Sequence, residues 1–166
     1  MLPDYLQPNL RFVLVGTAVG EKSAARGHYY AGPGNDFWRF LYEAGLTPTR
    51  LAPSDDATLP RYGIGLTDLV KSVAQSHDRG LPYDFPRFTG KIATYQPGVV
   101  AFTSKEAGKA FARSLREPVP SLGAAPWTVA GRPVFVLPSP SGANRTPTDP
   151  PRVEWWRRLA RTVQEA

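Results

Sequence analysis

Apolar and polar positions follow a pattern along this chain that predicts strands separated by helices. Short apolar runs next to glycine cover residues 11–16 and 98–102, and such runs are typical of buried strands. A third apolar stretch, 127–137, predicts a hairpin or two short strands. The chain therefore supplies several strands for a sheet.

Four segments instead carry apolar residues at near-helical spacing. They are 35–45, 88–95, 104–114 and 153–164. Gly90 weakens the second of these predictions, and Gly45 ends the first helix. The proline-containing, polar segments 47–61 and 76–86 predict a surface connection and irregular structure. Strands alternating with helices favour a single three-layer α/β/α domain over residues 1–166, with a central, largely parallel sheet.

Composition narrows the possible chemistry. The absence of cysteine excludes thiolate metal sites, and two histidines are too few for a histidine-rich centre, so we expect neither a metal nor a cofactor. No apolar run is long enough for a membrane span, which predicts a soluble intracellular protein, cytoplasmic and nucleoid-associated if bacterial. The net charge of +6 favours a polyanionic partner, although charge alone is weak evidence.

Two loops carry the functional argument. The first reads GTAVG at 16–20 and is followed by GHYYAGPGNDFW at 27–38, whereas the second reads PSPSGANR at 138–145. Ligands of parallel sheets bind beyond the carboxyl ends of the strands, so we expect both loops on one rim.

These segments resemble the signature motifs of the mismatch-specific uracil and thymine DNA glycosylases of the uracil-DNA glycosylase superfamily. In that family the first motif is G-I-N-P-G, followed by P-[GA]-N-x-F-W, and the second is [NS]-P-S-[GS]. The run YGIGLTDLV at 62–70 is similar to the family's Y-G-I-G-[FV]-T-x-[LM]-V. The resemblance implies a uracil-DNA glycosylase-like fold. It also implies an enzyme that flips uracil or related mispaired bases out of double-stranded DNA.

The resemblance also assigns roles to individual residues. Those expected around the flipped base are Gly16, Thr17, Ala18, Tyr30 and Ser139. Those expected to contact DNA are Lys22, Ser23, Ser141, Gly142, Ala143, Asn144 and Arg145. Tyr30 would stack on the base, or else be an ordinary core tyrosine, and 142–145 would fill the vacated stack, or else form a simple Ser-Gly turn. We expect structural roles for three further residues. Asn35 would cap a helix, and Phe37 and Trp38 would be core aromatics.

One position departs from the family. Its catalytic asparagine, which positions water against the sugar, falls on Ala18, and alanine can neither bind nor polarise water. Because glycosidic cleavage develops positive charge on the sugar, a carboxylate is the expected substitute. Asp68 is our choice for this carboxylate, the alternative being that Asp68 is an ordinary surface or helix-start aspartate, and Glu21 is the runner-up.

The remaining candidates have weaker support. Asp36 is expected in the first turn of its helix, and His28 could assist with the leaving base or a phosphate. Lys22 is not convincing as a Schiff-base nucleophile, which predicts a monofunctional enzyme that leaves an abasic site. We also expect the enzyme to be a monomer. Two alternatives stay open: a catalytically inactive binder of DNA lesions, and a small-molecule nucleoside hydrolase on the same framework.

Overall fold

A five-stranded sheet forms the centre of the computed structural model, which describes residues 1–144 and 146–165. Its strands are β1 (Phe12–Ala18), β2 (Ile64–Val70), β3 (Val100–Phe102), β4 (Gly123–Val129) and β5 (Arg132–Val136). They lie in the order β2-β1-β3-β5-β4, and every neighbouring pair is parallel except β4 and β5. The prediction of a largely parallel sheet is therefore confirmed.

Helices cover both faces of the sheet. They are α1 (Glu21–Arg26), α2 (Phe37–Glu43), a 3₁₀ helix (Pro53–Tyr62), α3 (Phe85–Tyr95), α4 (Lys105–Leu115) and α5 (Arg152–Glu165). One core holds Phe12 and Leu14 of β1 against α2 and α5, whereas the other holds Val13 and Val15 against α3 and α4. Because β1 is buried on both faces, its sequence is continuously apolar rather than alternating. The three-layer prediction is confirmed.

Some local predictions differ from the structure. The 3₁₀ helix lies inside the segment predicted as a surface connection, and it buries Leu59 and Asp56. Because the segment is rich in prolines and polar residues, its sequence does not reveal that these two side chains are buried. The helix that starts the first long apolar segment has seven residues, since the chain turns at Ala44 and Gly45 takes a left-handed φ of 75°. Among the described residues, no helix is long and apolar enough to cross a membrane.

Candidate active site

The carboxyl ends of β1, β2 and β3 meet at a cavity of about 400 Å³. Both loops singled out in the sequence contribute to its wall. Predicted site residues in that wall are Gly16, Thr17, Ala18, Lys22, Ser23, Tyr30, Asp68, Ser139, Ser141, Gly142 and Ala143. The two loops thus share one rim, as the sheet geometry predicts. The cavity combines backbone, aromatic and acidic groups in one place.

Asp68 lies at the end of β2 and is only 5% exposed. In the parallel register it pairs with Gly16 of β1, so the two residues project from the same face of the sheet. A Cβ atom on Gly16 would come within 2.6 Å of Oδ1 of Asp68. The alternative of a surface or helix-start aspartate is therefore excluded, because Asp68 is a buried strand residue packed against glycine.

Two opposing effects set the pKa of Asp68. Burial raises the pKa of Asp68 to about 6, and the nearby Lys71 ammonium opposes that rise. The Nζ atom of Lys71 lies 3.5 Å from Oδ2 of Asp68. At neutral pH the carboxylate is consequently ionised, yet it has little water around it. Such a group can stabilise a developing positive charge strongly.

Tyr30 forms an aromatic wall of the cavity. Its ring stacks on the buried Phe37 with centroids 3.8 Å apart and planes 10° from parallel. Its hydroxyl lies 3.1 Å from Oγ1 of Thr103. Tyr30 also has a φ of +52°, which is uncommon for a bulky residue and occurs where surrounding structure enforces it. The ring is thus held rigidly at the cavity surface.

The segment that carries Tyr30 is anchored from below by Asp56, which is 1% exposed. Oδ2 of Asp56 accepts a hydrogen bond from the backbone N–H of Tyr29 at 2.9 Å, and Oδ1 lies 3.2 Å from Nδ1 of His28. His28 points towards this carboxylate and does not line the cavity. The arrangement gives His28 a structural contact, and its suggested contact with the base or a phosphate stays a prediction.

The second loop is tied to the start of α2. Arg152 donates to the carbonyl oxygen of Ser139 at 2.8 Å and to Oδ2 of Asp36 at 2.5 Å. The N–H of Asp36 donates to the Pro140 carbonyl at 2.8 Å. A Cβ on Gly142 would lie 2.8 Å from a backbone oxygen of Gly34, so the two loops touch through their glycines. These contacts therefore hold the loop that carries the predicted wedge against the start of α2.

Other predicted residues occupy varied positions. Thr17 donates its hydroxyl hydrogen bond to Oδ1 of Asp78 at 2.7 Å, and Asn144 donates its amide to the Ser139 carbonyl at 3.0 Å. Lys22 is exposed on α1 at the cavity rim, where Glu21 also lies. Arg145 lies outside the described residues.

Ser23 lies in α1 and is buried. It is only 7% exposed, and its hydroxyl oxygen accepts a hydrogen bond from the backbone N–H of Ala31 at 2.9 Å. This bond ties α1 to the loop after Tyr30. The hydroxyl oxygen is therefore engaged inside the protein, and the contact between Ser23 and DNA stays a prediction.

Sequence reasoning missed several residues in the cavity wall. Thr103 and Ser104 follow β3 directly, and the rule that ligands bind beyond the carboxyl ends of strands could have identified them. Asp78 comes from the polar segment after β2, which has no periodic pattern. No local signal reveals that this segment folds back over β1.

The fold and the cavity together define the class of protein. A largely parallel sheet with helices on both faces and a polar, aromatic-walled cavity at its carboxyl edge matches the architecture of uracil-DNA glycosylases. The family description "Uracil DNA glycosylase superfamily" matches residues 3–160, and the chain belongs to that superfamily. This family acts on DNA.

A solved structure supports the same assignment. The chain is similar to the solution NMR structure of a "putative Uracil DNA glycosylase" from Methanosarcina acetivorans, with 26% sequence identity and a TM-score of 0.66. The similarity covers 98% of this chain and 96% of the archaeal one. The likeness therefore extends over the whole fold rather than one motif.

Proposed function

We propose that this protein is a monofunctional, mismatch-directed DNA glycosylase that removes uracil and related bases from duplex DNA, with Asp68 as its catalytic carboxylate. The observation that carries the proposal is the position of Asp68, which is buried at the floor of a cavity whose wall includes Tyr30. The protein would act as a monomer inside the cell, and its net charge of +6 favours association with the phosphate backbone.

Catalysis would begin when the target nucleotide leaves the duplex. The flipped base stacks on the Tyr30 ring, which Phe37 supports from behind, and residues of the 139–144 loop enter the vacated stack. Base–aromatic stacking contributes roughly 1–3 kcal/mol per base, which offsets part of the cost of unpairing. Backbone groups at Gly16 and Thr17 lie beside the base edge.

The chemical step then breaks the bond between C1′ of the sugar and the base nitrogen. The bonding electron pair leaves with the base, and C1′ gains positive oxocarbenium character. The Asp68 carboxylate stabilises that charge and orients a water molecule, whose oxygen bonds to C1′ while its proton passes to Asp68. Asp68 then returns this proton to solvent and the departing base anion takes up a proton, so the products are the free base and an abasic site.

Burial distinguishes Asp68 from the other carboxylates in the cavity wall. Glu21 and Asp78 are both exposed, and Asp78 already accepts a hydrogen bond from Thr17. Water screens an exposed charge, so a buried carboxylate stabilises the sugar cation more strongly. This comparison supports Asp68 over the runner-up Glu21.

A hydrolytic rather than a lyase reaction is favoured by the lysines near the site. Lys22 is exposed on α1, whereas a Schiff-base nucleophile has to be desolvated to lose its proton at neutral pH. The Nζ atom of Lys71 is paired with the carboxylates of Asp4 and Asp68 and does not line the base cavity. We therefore propose that the abasic site is left uncut.

The base pocket is proposed to accept several pyrimidines. The amide of Gln75 donates to the carbonyls of His77 and Arg79 in its own loop, and the amide oxygen of Asn35 accepts from the N–H of Phe37. The protein therefore occupies the NH2 group of Gln75 and the amide oxygen of Asn35. Recognition would then depend mainly on backbone groups and on stacking, which tolerate variation among bases.

The test is single-turnover cleavage of a duplex with one G·U pair, with A·U and fully paired duplexes for comparison. Asp68→Asn should lower the rate about 10²–10⁴-fold and leave duplex binding intact. Asp78→Asn is the matched control, since it removes an exposed carboxylate from the same wall, and it should retain most of the rate. Activity that survives both Asp68→Asn and Asp68→Ala would remove Asp68 from the catalytic role.

The alternative of a non-enzymatic lesion binder has one specific observation in its favour, which is alanine at position 18. Its signature would be tight, salt-dependent binding of the G·U duplex by the wild-type protein with no abasic product after prolonged incubation. Cleavage by the wild type that Asp68→Asn abolishes would exclude it.

A further inference from the structure

Beside Asp68 lies a cluster of charges that the mechanism above does not use. It consists of Asp4, Lys71 and Lys91, which come from the N-terminal segment, the end of β2 and α3. Asp4 lies between the two lysines, with Nζ of Lys71 at 3.1 Å and Nζ of Lys91 at 2.5 Å. Thr67 adds a hydrogen bond to Oδ1 of Asp4 at 2.7 Å. Three separate elements thus converge behind the candidate catalytic group.

Lys71 is the member of the cluster that reaches Asp68. Its ammonium group has three hydrogens, and it has three partners: Asp68 at 3.5 Å, Asp4 at 3.1 Å and the hydroxyl of Tyr29 at 3.0 Å. Lys71 does not line the base cavity and instead lines a second cavity of about 310 Å³, whose wall Asp68 also joins. Lys71 can therefore influence the carboxylate without touching the DNA base.

We propose that Lys71 is a positioning residue, which holds Asp68 ionised and fixes its orientation toward the base cavity. This inference rests on the proposed function of Asp68. It adds a residue that acts on the reaction through the carboxylate.

Charge balance supports the inference. The charged groups around Asp68 are Lys71 and Asp4, with Lys91 farther away, and the neutral hydroxyls of Tyr29 and Tyr30 lie on the adjoining loop. Two lysines and Asp4 leave one positive charge, which an ionised Asp68 neutralises. Burial raises the pKa of Asp68, and Lys71 is the strongest group that opposes this rise. Without Lys71 a larger fraction of Asp68 would be protonated at a given pH.

The contact with Tyr29 adds a geometric role. Tyr29 is 2% exposed and directly precedes Tyr30, the proposed base platform. Its hydroxyl accepts from Lys71 and donates to the Pro3 carbonyl at 2.9 Å. Lys71 thus connects the carboxylate to the segment that positions the aromatic ring. The separation between the negative charge and the stacked base is fixed through this link.

The test compares the pH dependence of single-turnover cleavage of the G·U duplex in the wild type, Lys71→Met and Lys71→Arg. Cleavage requires ionised Asp68, so the wild-type rate should fall on the acid side. In Lys71→Met the acid limb should move up by about one pH unit or more, because an opposite charge within a few ångströms typically lowers an acid's pKa by 1–3 units. The rate should drop about fivefold or more near pH 6 and recover toward the wild-type value at alkaline pH.

Two variants serve as controls. Lys71→Arg keeps the positive charge and should keep the acid limb near its wild-type position. Lys91→Met removes a lysine of equal exposure, 19%, that contacts Asp4 rather than Asp68, so it should move the limb much less. Thermal melting establishes that each variant is folded. Lys71→Gln carries the same prediction as Lys71→Met should the latter not fold.

A second measurement does not depend on cleavage. The ¹³Cγ resonance of Asp68 in the free protein reports its titration directly, and the midpoint should rise in Lys71→Met. A uniformly slower variant with an unshifted acid limb, or an unshifted ¹³C midpoint, would overturn the role of Lys71. A wild type that never cleaves although the midpoint shifts would instead overturn the proposed function, together with the catalytic meaning of this contact.

Discussion

Gly16 and Asp68 lie so close together that a Cβ atom on the glycine would stand 2.6 Å from the carboxylate oxygen Oδ1. The two residues pair across neighbouring parallel strands and project from the same face. The φ angle of Gly16 is not in the left-handed region, so close approach rather than backbone conformation requires glycine here. The first glycine of GTAVG is therefore coupled to an acid found 52 positions later in the chain.

Gly16→Ala should consequently displace Asp68. We expect cleavage of the G·U duplex to fall about a hundredfold, since a shift near 1 Å at a reacting group can have that effect, and stability to fall by about 1–3 kcal/mol from overpacking. Single-turnover rates and thermal melting measure the two effects. Gly90→Ala is the control, because a Cβ there meets no atom within 4 Å. Full activity of Gly16→Ala would show that the carboxylate can move freely.

Asp68→Asn should stabilise the protein at neutral pH. Burial raises the pKa of Asp68 to about 6 in the folded protein, whereas an unfolded aspartate titrates near 3.9. The folded state therefore binds the proton more tightly, and the protonated carboxyl contributes stability that is present below about pH 4 and is lost as the pH rises through 6. A shift of this size corresponds to about 3 kcal/mol.

Urea unfolding of wild type and Asp68→Asn at several pH values measures this difference. We expect the variant to be more stable at pH 7.5 and the gap to close toward pH 4. Loss of activity together with a gain in stability is typical of a charge kept buried for function. A variant that is less stable than the wild type at pH 7.5 would contradict the assignment of a raised pKa.

Arg152 should matter more for cleavage of duplex DNA than for cleavage of single-stranded DNA. It joins the 139–141 backbone to Asp36, so Arg152→Gln would release the loop proposed to enter the base stack. Cleavage of the G·U duplex should fall about ten- to a hundredfold, with a smaller loss on single-stranded uracil DNA, where no stack has to be opened. Relative rates on the two substrates measure the effect.

Two controls separate loop positioning from loss of charge. Asp36→Asn weakens the same contact without removing a cation, and it should reproduce part of the effect. Arg157→Gln removes an exposed cation from the same helix and should affect both substrates alike. Equal losses on both substrates in Arg152→Gln would mean that Arg152 serves general phosphate attraction rather than the loop.

The parts of the fold that the sequence predicts are those whose signals are local. The apolar runs of β1 and β3 and the spacing in α4 and α5 each lie within a dozen or so residues, and the carboxyl-edge rule then places the two loops together. Helix α1 has six residues, with Ser23 as its buried one, so it carries no apolar period. The contacts that shape the cavity are of another kind.

Those contacts join residues that are distant in the chain. Thr17 and Asp78 are 61 positions apart, and Asp36 and Arg152 are 116 apart. Charge patterns alone do not reveal such pairs, because most charged residues lie in water without a fixed partner. The resemblance to glycosylases identifies Asp68 as a candidate. The role of Lys71 can be inferred only from the structure, which brings Asp4 of the N-terminal segment next to the end of β2.

The positions of Ala18 and Asp68 allow a test of whether an asparagine at 18 can replace the carboxylate at 68. Ala18 lies two residues beyond Gly16 on the same face of β1, which places it about 7 Å nearer the strand's carboxyl end than the pair of Gly16 with Asp68. Both residues line the cavity. An asparagine at 18, as in the motif that this loop resembles, would contact a water molecule from the rim, whereas the proposed mechanism has Asp68 contact it from the floor.

Ala18→Asn in an Asp68→Asn background should therefore restore part of the cleavage, about tenfold or more above the single Asp68→Asn variant. The restored rate should lack the acid limb near pH 6, because an amide does not titrate. Single-turnover assays of the double variant across pH measure both features. A double variant as inactive as Asp68→Asn would mean that water bound at the floor cannot be reached from position 18, so the carboxylate acts through its charge on the sugar more than through its hold on water.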